Sequence, residues 1–115
     1  MPEKVLQRNR KIKEQAKLFA ALADPTRLKL FQILCNQDPR GCHCVNKLSH
    51  LLGITQPAVS QHLRVLKNAG LVIDQRRGFR THYQIDPEGI KSCQASLLRA
   101  LGFDKQLPFT KTLSS

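Results

Sequence analysis

A change in the spacing of apolar residues near Gly70 sets the strongest limit on the fold. From Val45 to Asn68 apolar residues recur every three or four positions, which predicts two short helices joined by a turn at Gly53. From Leu71 to Ile85 apolar and polar residues alternate, which predicts two strands with a tight turn at Gly78. Two helices followed at once by a β-hairpin are therefore expected at the centre of the chain.

Further helices are predicted on both sides of this segment. Helical spacing predicts a long first helix from Glu3 to about Ala23, and Asp24-Pro25 begins a second helix that runs to about Asn36. Asp86-Pro87 begins the last helix. The expected fold class is mainly α with a small β-hairpin wing, in the order ααααββα. We expect one domain over residues 1–102 and a flexible C-terminal tail over 103–115.

Each predicted helix has an apolar face that we expect to be buried. These faces consist of Val5, Ile12, Ala16, Phe19 and Ala23 in the first helix; Leu28, Phe31, Leu34 and Cys35 in the second; Val59, Leu63 and Leu66 in the fourth; and Ile90, Cys93, Leu97, Leu98 and Leu101 in the last. The two terminal helices offer more apolar surface than one small core needs. This surplus predicts a two-fold homodimer that forms through the first and last helices.

The charge balance of the chain indicates the class of partner. The 115 residues include 19 Lys plus Arg against 8 Asp plus Glu, a net charge of +11. Such an excess favours an anionic partner, above all nucleic acid. No apolar run is long enough to span a bilayer and the charged N-terminal residues do not resemble a secretory signal, so we expect a cytoplasmic protein. We find no phosphate loop, carboxylate pair or Ser/His/Asp set, so we do not expect an enzyme.

Two helices followed by a basic hairpin are typical of a winged helix-turn-helix that binds double-stranded DNA. Side chains that both donate and accept hydrogen bonds suit base edges, and basic side chains suit phosphates or a narrow minor groove. The alternative is that this polar face is only a solvated surface. The predicted DNA-contacting residues are Gln56, Pro57, Ser60, Gln61, Arg64 and Lys67 of the second helix of the pair, and Arg76, Arg77 and Arg80 of the hairpin tip.

Three segments resemble the ArsR/SmtB family of bacterial repressors. They are FAALADPTRL at 19–28, ITQPAVSQHLRVLKNAGL at 54–71 and RRGFRTHY at 76–83, and the resemblance covers about residues 16 to 100. It implies a homodimer with one winged helix-turn-helix in each protomer, an imperfect inverted repeat overlapping a promoter as the DNA site, and an effector that loosens the DNA complex. It also implies that positions matching Gln56, Ser60 and Gln61 touch DNA.

Cys42 and Cys44 are the candidate effector ligands. They flank His43 in a polar loop before a helix, and residues two apart in an extended segment point the same way. Two thiolates suit a soft ion such as As(III), Cd(II), Pb(II) or Zn(II), with a third ligand expected from Cys35, Cys93, the other protomer or the tail. His43 would point to the other side and is a weaker candidate.

The chain departs from the family pattern at this site. The family's usual metal box reads Cys-Val-Cys, whereas the matching residues here are Cys44-Val45-Asn46. The last helix also lacks the histidines of the family's second metal site. Three alternatives therefore remain: a thiol-redox-responsive repressor, an effector-independent repressor of the same fold, and a zinc-stabilised interaction module that uses Cys35, Cys42 and Cys44. A basic membrane-surface protein is disfavoured because the first helix lacks a face rich in Trp, Phe and Leu.

Overall fold

Five helices and a three-stranded sheet make up the described protein. The computed structural model describes residues 2–36 and 43–102. The elements are α1 (Glu3–Ala23), α2 (Pro25–Cys35), β1 (His43–Cys44), α3 (Val45–Leu52), α4 (Gln56–Asn68), β2 (Val72–Arg77), β3 (Arg80–Ile85) and α5 (Pro87–Ala100). The predicted winged helix-turn-helix is confirmed. Cys42, the other residues of 37–42 and the predicted tail over 103–115 lie outside the described residues.

The short strand β1 is the element that the predicted order ααααββα lacks. It pairs antiparallel with β3, so that the strand order in the sheet is β1-β3-β2. A strand of two residues is too short to show the alternation of apolar and polar residues by which strands are predicted. We therefore find a three-stranded sheet where the sequence predicts a two-stranded hairpin.

The helix boundaries agree with the expected capping residues. The side chain of Asp24 accepts a hydrogen bond from the backbone N–H of Arg27 at 3.0 Å and so caps α2. In return the Arg27 guanidinium binds the end of α1, because its Nε donates to the carbonyl oxygen of Ala21 at 2.8 Å and its Nη2 to that of Ala20 at 3.3 Å. These bonds fix the junction between α1 and α2 from both sides.

The core lies between α2, α3, α4, the inner face of the sheet and α5. Its buried members are Leu30, Leu34, Leu48, Val59, Leu63, Leu66, Leu71, Val72 and Cys93. The predicted buried face of α4 is confirmed, and so is the burial of Cys93. The predicted face of α2 is wrong at Leu28 and Cys35, which are exposed, because α2 packs through Leu30 and Leu34, one turn apart.

The apolar face predicted for α1 is not buried within the protomer. Val5, Ile12 and Phe19 are 38%, 55% and 42% exposed, and every residue from 3 to 14 is exposed. Gln15 is the first half-buried residue of α1, and its Nε2 donates to the carbonyl oxygen of Ser96 in α5 at 3.3 Å. At about 1.5 Å per residue, the exposed part of α1 is roughly 18 Å long. None of the described helices has the length and apolar composition that a membrane span requires.

The start of α5 packs closely against the turn that ends α4. Gly70 adopts a positive φ of 80°, which lets the chain leave α4 and enter β2. Gly89 in α5 lies against this turn so tightly that a Cβ atom there would be 1.7 Å from the carbonyl oxygen of Gly70. The backbone N–H of Asp86 donates to the carbonyl oxygen of Leu71 at 3.0 Å. These contacts anchor α5 to the end of α4.

Candidate nucleic-acid interface

The turn between α3 and α4 holds α4 against the core along one side. Gly53 ends α3 with a left-handed φ of 67°, and the Thr55 hydroxyl caps α4 by accepting from the backbone N–H of Ala58 at 3.3 Å. Val59 and Leu63, which are at most 1% exposed, fix the rotation of α4 about its axis. The opposite face of α4 must therefore point to solvent.

The sequence-predicted residues of α4 lie on this outer face. Gln56, Pro57, Gln61, Arg64 and Lys67 are exposed, and Ser60 is half-buried. The Nε2 of Gln56 donates to Oδ1 of Asn46 in α3 at 3.2 Å, so Gln56 is oriented by the helix that precedes it.

Lys67 has a partner that the sequence does not predict. Its Nζ lies 3.0 Å from Oδ1 of Asp74 in β2, with the two side chains 50% and 37% exposed. The hydrogen bond from Lys67 holds the pKa of the Asp74 carboxyl below its usual value. Lys67 therefore links α4 to the hairpin, and part of its charge is already compensated.

The hairpin of β2 and β3, called the wing below, carries the predicted basic tip. Arg77 and Arg80 are direct cross-strand partners, and Gly78 and Phe79 form the two-residue turn between them. The positive φ of Gly78, 63°, followed by a negative φ at Phe79, is the pattern of a type II′ turn. Arg77 donates from Nη2 to Oε1 of Gln75 at 3.3 Å. Arg76, Arg77 and Arg80 are all exposed.

A cleft of about 330 Å³ brings the start of α4 and the wing tip together. It is lined by Cys44, Val45, Asn46, Gln56, Phe79, Arg80, Thr81 and Tyr83. The cleft shows that Gln56 and Arg80, predicted from separate motifs, belong to one surface. Asn46 and Phe79 belong to this surface too, and sequence reasoning missed both, although the apolar Phe79 inside an arginine-rich turn was a visible signal.

Cys44 is half-buried at the junction of β1 and α3. The strand register pairs Cys44 with His82 and His43 with Tyr83, so Cys44 and His43 project to opposite faces, as predicted. His82 is thus a nitrogen donor on the Cys44 side that the sequence alone does not reveal.

The third ligand expected beside Cys42 and Cys44 stays a prediction, because Cys42 lies outside the described residues. Within residues 2–36 and 43–102 no three His, Cys, Asp or Glu side chains come close enough to hold a metal ion by themselves. Cys35 is exposed at the end of α2, and Cys93 is buried in α5. Desolvation raises the pKa of both thiols.

The described histidines on apolar surfaces behave as packing residues. His62 is half-buried on α4, as expected for a packing residue, and its Nδ1 is buried without a hydrogen-bond partner. His43 is half-buried too, and burial together with the nearby charge of Lys47 lowers its pKa. Burial and the charge of Lys47 therefore favour the neutral imidazole of His43.

An exposed polar helix beside a basic hairpin defines a winged helix-turn-helix DNA-binding domain. The chain belongs to the ArsR family of bacterial regulatory proteins, whose family model matches residues 24–74. It is 42% identical over 81 residues to an HTH-type transcriptional regulator of Mycobacterium tuberculosis, a match that covers 70% of this chain and 72% of that protein. The protein is therefore a DNA-binding transcriptional regulator and not an enzyme.

One further comparison concerns a related regulator and another concerns the fold. An arsenic-resistance transcriptional regulator of Pseudomonas putida is 37% identical over 71 residues, which cover 62% of this chain but only 53% of that regulator. A homodimeric winged helix-turn-helix DNA-binding domain from Mycobacterium bovis superposes with a TM-score of 0.62 at 24% identity, covering 90% of this chain and 88% of that one. The second likeness supports the fold alone.

Proposed function

We propose that the protein is a homodimeric repressor that binds an imperfect inverted repeat and leaves it when cysteine thiolates bind a soft metal ion or arsenite. The observation that carries this proposal is the shared surface of the start of α4 and the wing tip, joined by the cleft that Gln56 and Arg80 line. Regulators with this arrangement place one helix in the major groove and use the wing on the adjacent backbone or minor groove.

The side chains of this surface suit two different tasks. In the first turns of α4, Gln56, Ser60 and Gln61 carry donors and acceptors that suit base edges, and Pro57 lies between them on the same exposed end. The basic residues suit phosphates, and three of them surround the wing tip. These basic residues are Arg64, Lys67, Arg76, Arg77 and Arg80.

The exposed part of α1 supports the homodimer. Residues 3–14 are all exposed within the protomer although they include the apolar residues Val5, Leu6 and Ile12. An isolated helix of about 12 residues is only marginally stable in water. Leu98 and Leu101 of the α5 end are also exposed, at 50% and 56%. A second copy that packs on both helices would bury this surface and place two copies of α4 about one helical turn of DNA apart.

The surroundings of Cys44 support an effector site that is coupled to DNA binding. Cys44 supplies one sulfur and its cross-strand partner His82 a nitrogen, since directly paired residues have Cβ atoms about 5 Å apart. Cys42, outside the described residues, is the proposed third donor. These thiolate and imidazole donors would suit a soft or borderline ion. Asn46, two residues after Cys44, accepts the hydrogen bond from Gln56, so a shift at the start of α3 would move Gln56.

Duplex selection tests the DNA-binding surface. The wild-type protein should enrich an inverted repeat from a random pool of duplexes, and Gln61→Ala should relax the preference at particular base pairs by about 1–3 kcal/mol. Arg77→Ala should weaken binding to all duplexes alike and reduce the slope of affinity against salt by about one. Gln32→Ala, at an exposed position of α2, is the matched control. A Gln61→Ala protein with unchanged preference would refute the proposed position of α4.

Titration of the protein–DNA complex tests the effector site. Arsenite, Cd(II) or Pb(II) should release the selected duplex from the wild type, and the release should fail in Cys42→Ser and Cys44→Ser and weaken in His82→Ala. Cys35→Ser tests the alternative third ligand: release should stay unchanged when Cys42, Cys44 and His82 complete the site, and should weaken when Cys35 is a ligand. Sulfur-to-metal charge-transfer absorbance should fall with each cysteine ligand removed. Unaltered release from the Cys42→Ser/Cys44→Ser double variant would refute the site.

A further inference from the structure

Phe79 is the most exposed large apolar residue of the described part of the chain. Its side chain is 103% exposed, as in an isolated residue, while the next most exposed, Leu101 and Ile12, reach 56% and 55%. The type II′ turn requires Gly at its first central position, which Gly78 provides, but it makes no demand for an aromatic residue at the second. Neither the core nor the turn therefore explains Phe79.

The surroundings of Phe79 are cationic. Arg77 and Arg80 lie directly opposite each other at the base of the turn, and Arg76 precedes them. Like charges in direct cross-strand pairs destabilise a hairpin, so the tip is built for a polyanion that lies against it. Arginine is also the side chain that a narrow minor groove attracts most strongly. The charges that flank Phe79 thus select nucleic acid, rather than an apolar protein surface, as its partner.

The position of Phe79 fits the same duplex as α4. Phe79 and Gln56 line one cleft, so the wing tip and the start of the recognition helix face the same side of the protein. When α4 lies in a major groove, the wing tip then reaches the neighbouring minor groove. Proteins that bind in minor grooves frequently insert apolar side chains between base steps and so unstack them.

We propose that Phe79 is an apolar wedge, which enters the minor groove between Arg77 and Arg80 and partly unstacks one base step of the operator. This inference rests on the proposed DNA binding and adds a contact that carries no charge. The unstacked step should be a flexible pyrimidine–purine step, because such steps deform at the lowest cost. Phe79 would therefore contribute to affinity and to the choice of sequence beneath the wing.

Affinity for the selected duplex distinguishes the contribution of Phe79 from that of the arginines around it. Phe79→Ser should weaken binding about tenfold, because the DNA covers only part of the phenyl ring and the substitution loses only that part of its apolar burial. It should leave the salt slope unchanged, because no charge is removed. Phe79→Leu, which keeps an apolar side chain, should bind within about twofold of the wild type, on the same reasoning. Arg77→Ala should lower the salt slope and so provides the contrasting control. The full exposure of Phe79 predicts wild-type thermal stability for both Phe79 variants.

A fluorescent base reports the unstacking directly. We would place 2-aminopurine at successive steps of the duplex segment that the wing protects from hydroxyl radicals. Its fluorescence should rise at one step when the wild type or Phe79→Leu binds, and stay quenched with Phe79→Ser. Equal affinity of Phe79→Ser and wild type, or quenched fluorescence at every step with the wild type, would overturn the wedge while leaving DNA binding intact. Failure of the wild type to select any duplex would overturn both proposals.

Discussion

Substitution of Gly89 by alanine should destabilise the protein, although helix propensity predicts the opposite. Gly89 lies in the first turn of α5, where alanine normally adds about 0.5–1 kcal/mol to the free energy of unfolding. The new Cβ would lie 1.7 Å from the carbonyl oxygen of Gly70 and 2.9 Å from its carbonyl carbon. These are backbone atoms, so no side-chain rotation relieves the overlap.

The loss of stability in Gly89→Ala can be estimated from the distance that α5 must move. Contacts of a Cβ below 3.0 Å are essentially never observed, so α5 and the Gly70 turn must separate by more than about 1 Å. This movement would loosen the packing of Cys93 and Ile90 against the core. Overpacking of this kind costs about 1–3 kcal/mol, occasionally more, which exceeds the propensity gain. We expect a net loss of about 2 kcal/mol in the free energy of unfolding.

Urea unfolding followed by circular dichroism measures this loss. Wild type and Gly89→Ala must be compared at one protomer concentration, because association adds to the apparent stability. The midpoint should fall while the slope with urea stays constant. Gln32→Ala, at an exposed position of α2, should change the free energy of unfolding by less than about 0.5 kcal/mol. A Gly89→Ala protein as stable as wild type, or more stable, would refute the close approach of α5 to α4.

Three further predictions concern the core, a helix cap and the dimer. Leu63→Ala should lower the free energy of unfolding by about 3–5 kcal/mol because Leu63 is 1% exposed, while Leu51→Ala, at 50% exposure, should cost less than about 1 kcal/mol in the same urea titration. The backbone hydrogen bond from Arg27 lowers the pKa of Asp24, so its stabilising effect is full above about pH 4 and disappears as the pH falls through the lowered value. The stability difference between wild type and Asp24→Ala should therefore shrink below pH 4, and a constant difference would contradict the cap. Leu98→Glu should give monomers in sedimentation equilibrium and Leu51→Glu should not, although both positions are 50% exposed; a stable Leu98→Glu dimer would place the interface elsewhere.

Local signals in the sequence predict the helices well. Thr55 before Gln56, Gly53 after Leu52 and Asp24 before Pro25 are capping residues that act on their immediate neighbours, so short windows of sequence contain the whole signal. The same periodicity predicts the outer face of α4, because burial of the apolar side of a helix leaves the opposite side exposed to solvent.

Features that depend on distant partners were not predictable in this way. The strand β1 exists only because β3 pairs with it, and the proximity of Cys44 to His82 follows from that register. The ion pair between Lys67 and Asp74 joins a helix to a strand. Apolar spacing also could not distinguish the side of α2 that faces the core from the side that exposes Leu28, since both contain apolar residues. Such choices are made by tertiary packing.

The register between β1 and β3 determines which donor atom lies on each face of the sheet, the nitrogen of His43 or the sulfur of Cys44. In the present register the imidazole of His43 lies on the same face as Tyr83, and the thiol of Cys44 lies on the opposite face with His82. A slip of the β1 register by one residue would exchange the two, because adjacent strand positions alternate between faces. The face that carries His82 would then present a nitrogen where a sulfur now stands, so a change of register, without any substitution, would replace a soft donor with a borderline one.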